Sequence, residues 1–218
     1  MKLNTTRYIT QLFLFLFPLC VFAQNKFESD INAFEEKDKT TPPPVHPIVF
    51  TGSSSIRYWE SLAADFPDKP VLNRGFGGSG LADARYFADR IIIRYQPKQV
   101  VLYSGENDVA AGKSAQYVYD QFVDLFQYVR KALPKVSFVY IAMKPSPSRR
   151  KYWPVVQEAN AMIKGYLKKQ KRTKYVDTYT PMLYANGQPH GEYYKGDSLH
   201  MLPNGYALWT KLVKPALK

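Results

Sequence analysis

The chain has 218 residues, 45% of them hydrophobic and 22% charged, with 30 Lys and Arg against 18 Asp and Glu. That length fits one α/β domain around a single core, and the ordinary composition excludes a disordered chain, a collagen-like repeat and a multi-span membrane protein. The formal net charge of +12 admits attraction to an anionic polymer or lipid surface, but no nucleic-acid reader motif accompanies it, so no nucleic-acid partner is expected.

Residues 1–23 read as a targeting signal. Lys2 and Arg7 form a positive start, and Leu12 to Phe17 with Leu19, Val21 and Phe22 form a short apolar run. That run falls well short of the roughly 20 residues a membrane-spanning helix needs, so no stable membrane insertion is expected. Val21-Phe22-Ala23 suits cleavage before Gln24, which would deliver the protein to the periplasm or the medium. Leu19, in front of Cys20, disfavours a lipoprotein. Cys20 is the only cysteine and would leave with the signal, which removes thiol catalysis and disulfides and leaves oxygen nucleophiles. No Cys-His cluster of the kind that holds zinc is present. Loss of residues 1–23 leaves 28 basic against 18 acidic side chains. The excess gathers in Arg149-Arg150-Lys151 and between Lys164 and Lys174, as a solvated helix face or as a surface for acidic polymers.

Phe27 to Glu36 has the pattern of a short amphipathic helix, and Thr41-Pro42-Pro43-Pro44 then stops it. Residues 24–47 are therefore expected to be an N-terminal helix and proline-rich lead-in, with the main domain at 48–218. Five short apolar runs rich in Val, Ile and Tyr read as buried strands: Ile48–Thr51, Val71–Asn73, Val100–Tyr103, Ser137–Ala142 and Tyr175–Val176. Helical periods separate them. One begins at Ile56 with Trp59 and Leu62 inward. Another carries Val118, Phe122, Leu125, Phe126, Val129 and Leu133, with Ser114 as its cap and Pro134 beyond its end. Val155, Ala159, Met162, Ile163, Tyr166 and Leu167 repeat the pattern, and a closing helix after Pro203 carries Tyr206, Leu208, Trp209 and Leu212. This alternation predicts right-handed crossovers and a parallel sheet covered on both faces, with ligands beyond the C-terminal ends of the strands.

The segments at those ends carry the chemistry. Gly52-Ser53-Ser54-Ser55 lies at a strand-to-helix turn, where a serine hydroxyl is exposed beside unpaired backbone N–H groups; by itself it is also an ordinary helix cap. Gly75-Phe76-Gly77-Gly78-Ser79-Gly80 offers unhindered N–H donors or simply a turn, and lacks the Gly-Lys-Ser/Thr of a phosphate loop. Asn107, in Ser104-Gly105-Glu106-Asn107-Asp108, has an amide able to donate to an oxyanion, or to its own backbone. Asp197 and His200 are three apart before the last helix, a spacing that lets the carboxylate fix the imidazole tautomer and leave Nε2 for a serine proton.

Taken in order, these segments resemble the SGNH/GDSL hydrolases from about Ile48 to the C-terminus. Gly52-Ser53-Ser54-Ser55-Ile56-Arg57, Lys144-Pro145-Ser146-Pro147, Gly205-Tyr206 and Trp209 look like the platelet-activating-factor acetylhydrolase-like branch. The resemblance implies a three-layer α/β/α flavodoxin-like sandwich on a five-stranded parallel sheet. It also implies metal-free, cofactor-free ester hydrolysis by Ser54, His200 and Asp197. The oxyanion hole would comprise the Ser54 N–H, the Gly78 N–H and the Asn107 side chain. One departure stands out: Ser53 occupies the place of the Asp in Gly-Asp-Ser-Leu, which loosens the register among Ser53, Ser54 and Ser55.

The expected partner is a small-molecule or glycan ester, in particular a short acyl ester such as acetyl on a carbohydrate. A lysophospholipase or thioesterase on the same three residues, a non-catalytic carbohydrate-binding protein on a hydrolase scaffold, and a basic surface protein that binds acidic polymers are the competing readings. His46 and His190 read as structural or exposed, Arg74 as half of a surface salt bridge, and Tyr152 and Trp153 as packing residues.

Overall fold

The computed structural model describes residues 25–218, so the segment expected to be a targeting signal, with Cys20, lies outside the described residues. Helix α1 (Glu28–Thr40) leads into β1 (Ile48–Gly52), followed by the short helices α2 (Ser54–Arg57) and α3 (Leu62–Asp65). Next come β2 (Val71–Gly75), α4 (Leu81–Tyr86), α5 (Ala88–Ile91), β3 (Gln99–Tyr103), α6 (Glu106–Ala110) and α7 (Ala115–Ala132). The chain closes with β4 (Ser137–Ile141), α8 (Trp153–Lys168), β5 (Thr173–Val176) and α9 (Pro203–Val213).

The five strands form one sheet in the order β2-β1-β3-β4-β5, every pair parallel. This is the flavodoxin-like order, whose switch point falls between β1 and β3. Alternate residues of each strand feed opposite layers, as period-2 geometry requires. Val49, Val100, Leu102, Phe138 and Tyr140 pack under α1, α4, α5, α7 and α8. Ile48, Phe50, Val101, Tyr103, Val139 and Ile141 pack under α2, α3 and α9. The parallel sheet covered on both faces, expected from the strand–helix alternation, and the three-layer α/β/α sandwich that the resemblance implies are the observed architecture.

Differences from the expected elements have local causes. The helix anticipated from Ile56 is broken into α2 and α3, yet Trp59 and Leu62 are buried as anticipated. Helix α1 continues to Thr40, beyond the apolar pattern, because its polar face is tied by ion pairs to Arg90, Arg94 and Arg74. The deepest stripe of α8 is Val156, Ala159, Ile163 and Leu167, with Val155 and Met162 on its flank. On α9, Tyr206, Trp209 and Val213 are buried, while Leu208 and Leu212 are half-buried. Ser114 caps α7, accepting from the Tyr117 N–H at 3.2 Å.

Candidate active site

All the chemically loaded segments gather at the C-terminal edge of the sheet. β1 ends in Gly52 with φ of 123°, and a Cβ there would lie 1.8 Å from the Tyr103 carbonyl oxygen, so only glycine fits. The chain then turns into α2. Ser53 and Ser55 are buried, and Ser54 faces outward at the first position of the helix. Of the three serines, it is the Ser54 hydroxyl that lies 3.0 Å from Nε2 of His200.

The other His200 nitrogen, Nδ1, lies 2.5 Å from Oδ2 of Asp197. A carboxylate only accepts, so Nδ1 carries the proton and Nε2 accepts from the serine hydroxyl. Asp197 is itself fixed, since its Oδ1 accepts from the N–H groups of Leu199 and His200, both at 2.9 Å. Partial burial opposes its ionisation, but those backbone bonds and the imidazole outweigh it and hold the carboxyl at about 2. The hairpin-like loop is closed by Ser198 in a left-handed conformation, φ 55°. The Tyr58 ring packs edge-on against His200 at 5.0 Å, and the Lys195 ammonium lies 5.5 Å from the centre of that ring.

Gly78 sits in the loop after β2 with φ of 78°, exposed, with no backbone partner for its N–H among the described residues. The neighbouring Gly77 abuts Ser54 and Arg57: a Cβ at this position would be 3.9 Å from the Ser54 Cβ and 3.3 Å from an Arg57 guanidinium nitrogen. Asn107, on α6, donates from Nδ2 to the Ser79 carbonyl at 2.9 Å and so reaches across to the same loop. Ser79 in turn donates to the Phe76 carbonyl at 2.8 Å, and the buried Asp108 accepts from the Leu81 N–H at 3.1 Å. Burial raises the Asp108 carboxyl, with the Leu81 bond opposing. The geometry thus brings together Ser54, His200 and Asp197 as one hydrogen-bonded chain, and ties Asn107 to the loop that bears Gly78. Such a set can move a proton from a hydroxyl and offer N–H groups to a nascent oxyanion.

No sequence pattern points to what lies behind Asn107. Glu106 and Lys144 are both buried and form an ion pair at 2.7 Å. Tyr103 and Ser146 also donate to the Glu106 carboxylate. Burial would raise Glu106, but the cations of Lys144 and Arg149 outweigh it and hold the carboxyl below the usual range. Burial draws Lys144 down, with Glu106 opposing. Arg149, expected on a solvated basic stretch, instead donates from Nη2 to Oδ1 of Asn107 at 2.8 Å. A buried Lys in Lys144-Pro145-Ser146-Pro147 has no periodic signature, because its partner is nearly forty residues away.

The remaining suggestive residues lie elsewhere or pack. Arg74 is buried rather than superficial, paired with Asp38 and donating to the Tyr95 hydroxyl at 2.8 Å. His46 meets the Gln96 carbonyl, and His190 meets Glu192 and stacks on Tyr193. Trp153 is buried with its N–H on the Ser146 carbonyl at 3.0 Å, and Tyr152 is half-buried. Among the described residues, no group of three or more His, Cys, Asp or Glu side chains converges as a metal site would.

The chain belongs to the GDSL-like lipase/acylhydrolase family, whose model matches residues 43–208; it is a hydrolase of the esterase type. Among solved structures it is similar to a GDSL-like lipase from Bacteroides thetaiotaomicron, with 22% identity, 86% of this chain and 97% of that one covered, and a TM-score of 0.74. A Streptococcus pneumoniae protein provisionally assigned as a platelet activating factor matches with 18% identity, 88% and 94% coverage and a TM-score of 0.78. A carbohydrate esterase family 3 protein from Talaromyces cellulolyticus matches with 16% identity, 77% and 93% coverage and a TM-score of 0.63. At these identities the likeness is one of fold. No curated protein matches the chain.

Proposed function

We propose that this protein is an exported serine esterase that removes short acyl groups, acetyl above all, from carbohydrate esters. The observation that carries the reading is the hydrogen-bonded chain from Ser54 through His200 to Asp197, at 3.0 and 2.5 Å. In this reading His200 takes the Ser54 proton as the hydroxyl attacks the ester carbonyl, and Asp197 stabilises the imidazolium. The tetrahedral oxyanion is held by the N–H groups of Ser54 and Gly78 and by the Asn107 amide. His200 then returns the proton to the departing alcohol and later activates the water that cleaves the acyl-enzyme.

Substrate size follows from how open the site is. The Asp197 side chain is 47% exposed and that of His200 24%, so the proposed triad lies at an open surface. That favours a small acyl group on a bulky alcohol over a long acyl chain, which needs a deep apolar tunnel. Tyr58, 40% exposed, offers an aromatic face of the kind that packs on a sugar. The carbohydrate esterase among the similar structures supports the same substrate class.

The test is hydrolysis of p-nitrophenyl acetate and octanoate by the mature protein and by Ser54→Ala, followed by acetylated glycans. Expected is acetate preference and a fall of about 10⁴–10⁶ in kcat for Ser54→Ala. Equal turnover by the variant refutes the nucleophile, and octanoate preference refutes the substrate class. Export is tested separately, by sequencing the N-terminus of the processed protein, expected to begin at Gln24.

A further inference from the structure

Asn107 can serve an oxyanion only if its amide presents nitrogen, not oxygen, to the reacting centre. A terminal amide is nearly symmetric in shape, so its neighbours must decide which way it faces. Two do so here. On one side is the Ser79 carbonyl, an acceptor, 2.9 Å from Nδ2. On the other is the Arg149 guanidinium, a donor, 2.8 Å from Oδ1. Rotating the amide by half a turn would set oxygen against oxygen and N–H against N–H, losing both bonds. With both made, one Nδ2 hydrogen is spent on Ser79 and the second is left in a fixed direction.

Arg149 is held for this contact. Its Nη1 lies 3.7 Å from Oε1 of Glu106, and its side chain is 19% exposed. Glu106 is immobile in turn, since Lys144, Tyr103 and Ser146 all donate to it from buried positions. Burying a carboxylate and an ammonium is costly compared with apolar packing, so stability alone is a poor reason for the cluster. Arg149 links it to the Asn107 amide. A cation on Oδ1 also polarises the amide and makes the remaining N–H a stronger donor. The neighbouring Ser148 N–H meets the Ser198 carbonyl at 3.1 Å, so the segment that carries Arg149 is pinned on its far side as well.

We infer that Arg149 is a positioning residue: anchored on Glu106, it sets the orientation and donor strength of the Asn107 amide toward the oxyanion. This rests on the proposed serine-esterase reading and extends it to a residue behind the proposed oxyanion donor.

The test is a double-mutant cycle on p-nitrophenyl acetate with Arg149→Met, Asn107→Ala and the pair, with Ser54→Ala alongside. Arg149→Met is expected to lower kcat about 10- to 100-fold with KM changed less than threefold, at or below the roughly 10²–10³-fold cost of losing an oxyanion donor outright. In the Asn107→Ala background the same substitution should cost less than about threefold, since coupled residues are not additive. Equal losses in both backgrounds, or a loss confined to KM, would overturn the inference. Arg149→Lys, which keeps the cation, carries the same cycle should the Met variant melt early, and is expected to retain more activity than Met. Undiminished turnover by Ser54→Ala would instead sink the esterase reading itself, and the inference with it.

Discussion

His200 has two ring nitrogens, and its neighbours give each a different task. Replacing Asp197 by Asn keeps the shape of the contact but offers Nδ1 an N–H as readily as an oxygen, so the proton can settle on Nε2 and block acceptance from Ser54. Asp197→Asn is therefore expected to lower kcat by about 10³–10⁴, the loss known where such a carboxylate only orients a histidine. The fold should barely notice. The Asp197 carboxyl, held at about 2, contributes stability above the ordinary aspartate range, and that contribution fades only as pH falls toward 2. Because its side chain is 47% exposed, solvent screens most of that contribution. Melting of the variant at pH 7 within a few degrees of the parent, beside a collapse in kcat measured on p-nitrophenyl acetate, is the expected pattern. A large drop in Tm would make Asp197 a structural residue.

At the scale of elements, Glu106 at the head of α6 makes the opposite prediction. Glu106→Gln leaves Lys144 buried without a counter-ion, and breaking a buried pair from one side costs about 3–5 kcal/mol, or roughly 10 °C in Tm for a domain of this size. The sign with pH follows from the direction of its shift. A carboxyl held below its unfolded value adds stability above about pH 4.3, lost as pH falls through the lowered value. The parent should thus lose stability steeply below pH 4, and Glu106→Gln should show a flatter profile there in melts taken from pH 3 to 7. These two carboxylates also mark how far the sequence could be read. Strand cores were legible because buried parallel strands are continuous apolar runs, and the missed ends, Gly52, Arg74-Gly75, Gln99 and Thr173-Lys174, are glycine or polar residues that simply extend the ladder. Ser54, Gly78, Asn107, Asp197 and His200 stood out because each follows a strand or precedes a helix in a recognisable order. Glu106 and Lys144 did not, since their buried ion pair links residues 38 apart in sequence and only the folded sheet makes them neighbours.

Across the whole molecule, the basic residues between Lys164 and Lys174 run from the end of α8 into the start of β5, the opposite edge of the sheet from Ser54. A helix C-terminus favours such cations through its dipole, so the site itself is not immersed in that charge. The N-terminal helix has a more direct bearing on the site. The family model begins at residue 43, past α1, yet Phe27 and Ile31 are core residues, and the Phe27 ring packs edge-on at 5.2 Å against Phe76, one residue before the Gly77-Gly78 loop. Arg90 reaches back to Glu28 and Glu35, and the buried Arg74 to Asp38. A chain starting at Pro42 would lose the buried side chains of Phe27 and Ile31, whose burial is worth about 1.5–3 kcal/mol each, and would bare the core they cover. It would also strand the Arg74 cation at a further cost of about 3–5 kcal/mol. Losses of that size rival the roughly 5–15 kcal/mol that ordinary domains have in total. The truncated chain is expected to show no cooperative thermal transition by circular dichroism and no esterase activity. A sharp melt within a few degrees of the parent would mean that α1 is an appendage to the domain.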